Sequence, residues 1–105
     1  MPIPRIDAKD LLSAAEMELF HLSQSDAALR KSGPVQLRDE IARARNLRDR
    51  ARALYRKQAG QTRAHTGTKR GFSGIDNERS RQKAQVLSEV VERLSEARTQ
   101  QLSAA

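Results

Sequence analysis

Residues 65–74, HTGTKRGFSG, combine side chains that are suited to binding phosphate groups. Glycines allow a backbone to approach a phosphate closely, threonines offer hydroxyl donors, and Lys69 and Arg70 add positive charge. The segment lacks the GxxxxGK[ST] spacing of a P-loop, and no strand-like run precedes it. We therefore predict a basic loop over residues 65–74, in which the glycines supply the positive φ angles of a helix exit and re-entry.

Phe72 is the aromatic residue of this loop. Aromatic rings stack on unpaired bases in proteins that bind single strands, so Phe72 is a candidate for base stacking. The alternative, which we favour, is that its ring docks on the end of the neighbouring helices.

Arginines recur at helical spacing between residues 38 and 63. At 100° per residue, five of them fall within about 40° of one another, and a second basic row lies across the apolar stripe of the same segment. This stripe is Leu37, Ile41, Ala44, Leu47, Ala51, Leu54, Tyr55 and Gln58. The first row is Arg38, Arg45, Arg52, Arg56 and Arg63; the second is Arg43, Arg50 and Lys57. We expect Glu89, Glu92 and Glu96 to face the second row and to neutralise Arg43 and Arg50.

The positive charge is concentrated in the middle of the chain. The formal net charge is +7, yet residues 43–83 hold 13 Lys/Arg against 3 Asp/Glu, while both flanking segments are slightly acidic. Such a concentration favours a polyanionic partner, because like charges without compensation repel one another. The predicted phosphate-binding residues are Arg45, Arg52, Arg56, Lys57, Arg63, Lys69, Arg70, Arg79, Arg81 and Lys83.

Catalytic and metal-binding patterns are missing from the sequence. There is no cysteine, His21 and His65 lie far apart without an acidic cluster, and no serine stands in a GxSxG setting. We predict no enzymatic activity, no cofactor and no metal site. Neither a signal peptide nor an apolar run of 18 residues is present, so we expect no membrane span and a cytoplasmic location.

The apolar periodicity predicts an all-α protein with a single helical domain over residues 13–102. We expect an extended arm over residues 1–12 and a frayed tail over residues 103–105. The predicted helices span residues 14–24, 35–63 and 75–101, with at most an extra turn from Asp26 to Arg30. Ser13-Ala-Ala-Glu16 matches a capping box, Pro34 suits a first helical turn, and Ser73 or Asp76 would cap the last helix.

The simplest arrangement is a three-helix bundle, in which the short first helix packs on a long antiparallel hairpin. A coiled-coil homodimer competes with it, because the apolar stripes of both long helices approach heptad spacing. Arg48 falls on the predicted buried stripe, where we expect it to reach solvent or to pair with Glu16 or Glu18.

These observations favour a nucleic-acid-binding protein that grips phosphates with the hairpin tip and one arginine face, largely independently of sequence. RNA is slightly preferred over DNA, because the long helices do not resemble a helix-turn-helix. The alternative is a protein-protein interaction module, an adaptor whose basic helical face binds an acidic protein.

Overall fold

The structure, a computed structural model, describes residues 5–64 and 74–104, with side chains described for residues 5–60 and 77–104. Helices joined by short non-helical links make up these ranges, and no strand occurs in them, which confirms the predicted all-α class. The helices are α1 (Ala8–Leu11), α2 (Ala14–Gln24), α3 (Asp26–Lys31), α4 (Pro34–Ala64) and α5 (Gly74–Ala104).

Helices α2 and α3 each begin at a serine that caps the first turn. The predicted capping box is present, since Ser13 Oγ accepts from the Glu16 amide and the Glu16 carboxylate accepts from the Ser13 amide. Ser25 Oγ accepts from the Ala28 amide at 3.1 Å and starts α3. The turn anticipated near Asp26 is thus a separate short helix with its own cap.

The two long helices extend slightly beyond the predicted bounds. Pro34 occupies the first turn of α4, where its missing N–H costs nothing. Helix α5 begins at Gly74, so Asp76 lies inside it and is not its cap, while Ser73 is outside the described residues. Ser103 and Ala104 are helical, which corrects the predicted frayed tail at these two positions.

The N-terminal segment differs from the predicted extended arm. Within residues 5–12, a single helical turn forms α1, and Leu11 and Leu12 are buried against Val86 of α5. The backbone amide of Ile6 donates to Gln82 Oε1 at 2.7 Å. Burial of the two leucines stabilises this turn, although one turn is too short to show a periodic pattern.

Helices α4 and α5 pack against each other along an apolar seam. Early residues of one meet late residues of the other, since Arg98 Nε donates to the Pro34 carbonyl at 3.2 Å and Arg52 donates to Ser88 Oγ at 3.2 Å. The two helices therefore run in opposite directions. Buried residues of the seam are Leu37, Ile41, Ala44, Ala51, Ala84, Leu87, Val90, Val91 and Leu94.

Helices α2 and α3 cover one end of this seam. Leu19 of α2 is fully buried and Leu29 of α3 joins the same apolar cluster. Gln101 Nε2 donates to the carbonyls of Leu29 and Ser32, both at 2.8 Å, and thereby satisfies acceptors near the C-terminal end of α3.

The described chain is rod-shaped, with extents of 59 × 21 × 21 Å. Its radius of gyration is 16.5 Å, whereas a compact domain of this length would have about 13 Å. A long rod exposes most of the outer surface of α4. Among the described residues, no helix has the length and apolar character needed to cross a membrane.

Candidate nucleic-acid interface

Arg45, Arg52 and Arg56 form the exposed arginine row of α4. Their helical spacing places them on one flank of the seam, within about 40° of one another. The row extends along the rod for about 17 Å at the helical rise per residue. Arg38 continues this flank toward the start of α4 and contacts Asp39 at 3.5 Å, where both side chains are largely exposed.

The three guanidinium groups of the row are not neutralised by a carboxylate that the structure describes. Arg52 donates to Ser88 Oγ, a neutral hydroxyl. Arg45 and Arg56 are exposed and make no hydrogen bond or ion pair within the described side chains. Among the described side chains, the row is therefore a line of positive charge without an ion-pair partner, and such a line attracts polyanions.

Lys57 is also exposed, but it belongs to the other flank of α4. Arg63 lies within α4, and its side chain is outside the described residues. Lys69, Arg70 and Phe72 of the predicted basic loop are likewise outside them. The arginine row can thus be defined without the loop.

Lys83 has an intramolecular partner. Its ammonium group lies 3.0 Å from Glu16 Oε1, and Glu16 is 95% buried, with 5% of its surface exposed. Burial raises the pKa of the Glu16 carboxyl. The hydrogen bond from the Ser13 amide and the contact with Lys83 lower this pKa by more than burial raises it, so the pKa lies below its usual value. Lys83 therefore links α5 to α2, which leaves it less available to a phosphate than the arginine row.

Arg79 and Arg81 also contact groups of the chain itself. Arg79 donates to the backbone carbonyl of Asp10. Arg81 donates to Glu78 Oε1 at 2.8 Å, and hydrogen bonds from Arg81 and Gln82 lower the pKa of Glu78 to about 2. The pKa of Arg81 is raised by the same pairing. Arg79 thus attaches α5 to the N-terminal segment, and Arg81 pairs with a carboxylate one turn earlier on α5.

The predicted neutralisation of Arg43 and Arg50 by the acidic row of α5 does not occur. Arg43 instead pairs with Glu40, one turn earlier on its own helix, at 3.2 Å. Glu89, Glu92 and Glu96 are exposed. Their positions on α5 point away from the seam, because Leu87, Val91 and Leu94 occupy its α4-facing side. Of the two alternatives predicted for Arg48, pairing with Glu16 or Glu18 is not found among the described contacts, and the other alternative, reaching solvent, is the one that the structure shows.

Arg48 pairs with Asp49, its neighbour in sequence, at 3.2 Å. Its side chain is only 20% exposed, while that of Asp49 is 62% exposed, so the guanidinium reaches from the flank of the seam toward solvent. Arginine stems cover apolar surface in this way while the charged head stays hydrated. Arg48 is therefore not part of the arginine row.

Hydroxyl groups of α5 lie beside the arginine row, and sequence reasoning missed them. Ser88 accepts from Arg52, and the next hydroxyls along this side of α5 are Ser95 and Thr99. Together with Arg45 and Arg98, they line a groove of about 350 Å³ between α4 and α5. The alignment of α4 with α5 is the signal that identifies them, and it requires knowing which residues face each other.

Within the described ranges, no three His, Asp or Glu side chains lie close enough together to hold a metal ion. We compared the chain with models of protein families, with curated proteins and with solved structures. None of the three comparisons found a match.

Proposed function

We propose that this protein binds nucleic acid through the arginine row of α4, gripping the phosphate backbone largely independently of sequence. The observation that carries the proposal is the state of Arg45, Arg52 and Arg56: three exposed guanidinium groups on one flank, with no carboxylate partner in the described chain. Guanidinium groups bind phosphate oxygens in a bidentate manner, which suits them to this role.

Basic residues near and beyond the end of α4 extend this charge in the sequence. Residues 57–70 contain Lys57, Arg63, Lys69 and Arg70 and no aspartate or glutamate. We propose that Lys69 and Arg70, together with Arg63 and Lys57, add phosphate contacts beyond the end of the row, and that Phe72 stacks on a base if the bound strand is unpaired.

RNA is the slightly preferred substrate in this proposal. A helix-turn-helix reads DNA with a compact recognition helix, whereas the exposed basic surface here runs along a rod. A line of phosphate contacts without base readout suits shape recognition or single strands. We place this activity in the cytoplasm.

We further propose that one chain forms the functional unit, with α2 and α3 packed on a hairpin of α4 and α5. Burial of Leu19 and Leu29 in the cluster that α4 and α5 share supports this arrangement. A coiled-coil dimer is the alternative, and light scattering coupled to size exclusion separates the two. A mass near 11.8 kDa supports the single-chain bundle, and twice that mass supports the dimer.

The direct test is the affinity of the full chain for single- and double-stranded RNA and DNA of about 20 nucleotides. Fluorescence anisotropy measures this affinity at salt concentrations from about 50 to about 200 mM. We expect binding to all four, slightly tighter to RNA, with an affinity that falls steeply as salt rises. Attraction between charges is screened least at the lower end of this range. Absence of binding at about 50 mM salt would therefore contradict the proposal.

The second candidate function is an adaptor that binds an acidic protein. The exposed arginine row favours it as well, since acidic side chains also pair with arginine. Binding of an acidic polypeptide such as poly-glutamate, together with no binding of any nucleic acid at low salt, would favour the adaptor.

A further inference from the structure

The groove between α4 and α5 is bordered by hydrogen-bond donors. Arg45 lies on its α4 side, and Ser95, Arg98 and Thr99 lie on its α5 side. No aspartate or glutamate lines it. With a volume of about 350 Å³, it has room for a phosphodiester group with part of its hydration shell.

The geometry of the groove follows from the alignment of the two antiparallel helices. Arg52 and Ser88 face each other and are hydrogen-bonded at 3.2 Å. Moving two helical turns toward the start of α4 and two toward the end of α5 leads to Arg45 and Ser95. Because the helices run in opposite directions, equal steps keep the second pair side by side. The same Arg-Ser couple therefore occurs twice along the flank.

The two couples differ in their hydrogen bonding. Ser88 Oγ accepts from Arg52 and donates to the Ala84 carbonyl at 2.8 Å, so its one donor is used. Ser95 is half-buried, and neither its hydroxyl nor that of Thr99 contacts a polar group among the described residues. The second couple thus presents unused donors to the groove.

Arg98, on the α5 side of the groove, is held in place by a hydrogen bond. Its Nε donates to the Pro34 carbonyl at 3.2 Å, and the residue is half-buried. The two terminal nitrogens of its guanidinium make no further hydrogen bond with described residues. A guanidinium anchored through Nε loses less entropy when its free nitrogens bind an oxyanion.

Four other grooves on the described surface lack this combination. One contains Glu78 beside Arg81, and two near α3 contain Asp26. A fourth contains Arg79 and Lys83, but Arg79 already contacts the N-terminal segment and Lys83 already pairs with Glu16 of α2. Unused cationic donors without a carboxylate are therefore a property of the groove beside Arg45.

We infer that this groove is a subsite for one phosphodiester group of the bound strand, held by Arg45, Arg98 and the hydroxyls of Ser95 and Thr99. The inference rests on the proposed function and adds a defined contact point to it. The strand then follows the flank from Arg56 past Arg52 and into the groove, where the hydroxyls of Ser95 and Thr99 donate from α5 and Arg45 donates from α4.

The double variant Ser95→Ala/Thr99→Ala tests the subsite. The variant loses two hydroxyl groups that donate to the charged phosphodiester. We expect it to bind a single-stranded RNA of about 20 nucleotides about tenfold more weakly. The slope of log affinity against log salt stays unchanged, because no charge is removed. The matched control is Gln24→Ala/Gln100→Ala, which alters two exposed polar residues that do not line the groove and leaves binding unchanged.

A second measurement uses the unmodified chain and does not depend on a variant. In an NMR titration of ¹⁵N-labelled protein with the same RNA, the amides of Ser95 and Thr99 shift as strongly as that of Arg45 and more than those of the control residues Gln24 and Gln100. These experiments distinguish failure of the subsite from failure of the proposed function. Unmodified protein that binds no RNA overturns both, whereas normal binding by the double variant, or shifts at Ser95 and Thr99 no larger than at the controls, overturns the subsite alone.

Discussion

Lys83 of α5 and Glu16 of α2 form an ion pair of 3.0 Å, in which the carboxylate is buried and also accepts from the Ser13 amide. One carboxylate thus caps α2 and attaches it to α5. Loss of a partner from such a pair costs more than loss of an exposed one, because the remaining group stays desolvated.

Replacing Glu16 should therefore destabilise the fold in two steps. Glu16→Gln keeps an oxygen that can accept from Ser13 but loses the ion pair, at a cost of about 1 kcal/mol, whereas Glu16→Ala loses both interactions and costs about 2 kcal/mol. Urea unfolding followed by circular dichroism measures the difference. Equal stability of Glu16→Ala and the unmodified protein would show that the pair contributes nothing; Glu18→Gln, an exposed carboxylate on the same helix, is the control.

The same pair predicts how stability depends on pH. The pKa of Glu16 is lower in the folded protein than its ordinary value of 4.5, so its carboxylate stabilises the fold above that pH. This contribution is lost as the pH falls below 4.5 through the folded-state pKa. Urea unfolding of Glu16→Gln should change less between neutral and acidic pH than that of the unmodified protein. Parallel stability curves over this range would contradict the assignment.

Glu78 should titrate far below an ordinary glutamate. Hydrogen bonds from Arg81 and Gln82 lower its pKa to about 2. In a ¹³C NMR titration, its side-chain carboxyl signal should remain that of the ionised form where ordinary glutamates are half protonated, and Arg81→Gln should raise its pKa toward 4.5. A midpoint near 4.5 in the unmodified protein would show that the Arg81 contact does not persist in solution.

The apolar seam of α4 and α5 should dominate stability. Leu87 is fully buried between Ala51, Ala84 and Leu47. Leu87→Ala creates a cavity there and should cost about 3 kcal/mol in the free energy of unfolding. Leu102→Ala, at a position that is 50% exposed, should cost less than about 0.5 kcal/mol. Similar losses for both variants in urea unfolding would contradict the assigned seam.

The sequence predicted the long helices well because their apolar residues repeat over many turns. Leu37, Ile41 and Ala44 are buried as the stripe of α4 predicts. Leu54 belongs to the same predicted stripe but is 47% exposed, since it lies beyond the part of α4 that α2 and α3 cover. Periodicity identifies a face of a helix, but the neighbours decide how far that face is buried.

Short-range helices and charge pairing were predicted less well. A single turn such as α1 has no periodic signal, and its stability comes from Leu11 and Leu12 packing on a distant helix. Pairing of charges depends on three-dimensional proximity. Lys83 was predicted to bind phosphate, and the structure places it against Glu16, which was one of two carboxylates considered as a partner of Arg48.

The arginine row was predictable from spacing alone, whereas the hydroxyls beside it were not. Arg45, Arg52 and Arg56 share a face on any straight helix. Ser95 and Thr99 join them only when the alignment of α4 with α5 is known. Charge placed on one helix can thus be inferred from sequence, but a site between two helices requires the structure.

The central claim is that the arginine row, rather than net charge alone, binds nucleic acid. Arg45→Gln/Arg52→Gln/Arg56→Gln removes the row, and Arg30→Gln/Arg50→Gln/Arg93→Gln removes the same charge from exposed positions elsewhere. The decisive measurement is the slope of log affinity against log salt for single-stranded RNA. We predict that the first variant lowers the magnitude of the slope by about 2, at roughly 0.7 for each lost phosphate contact, while the second leaves it nearly unchanged. Equal losses in both variants would contradict the claim.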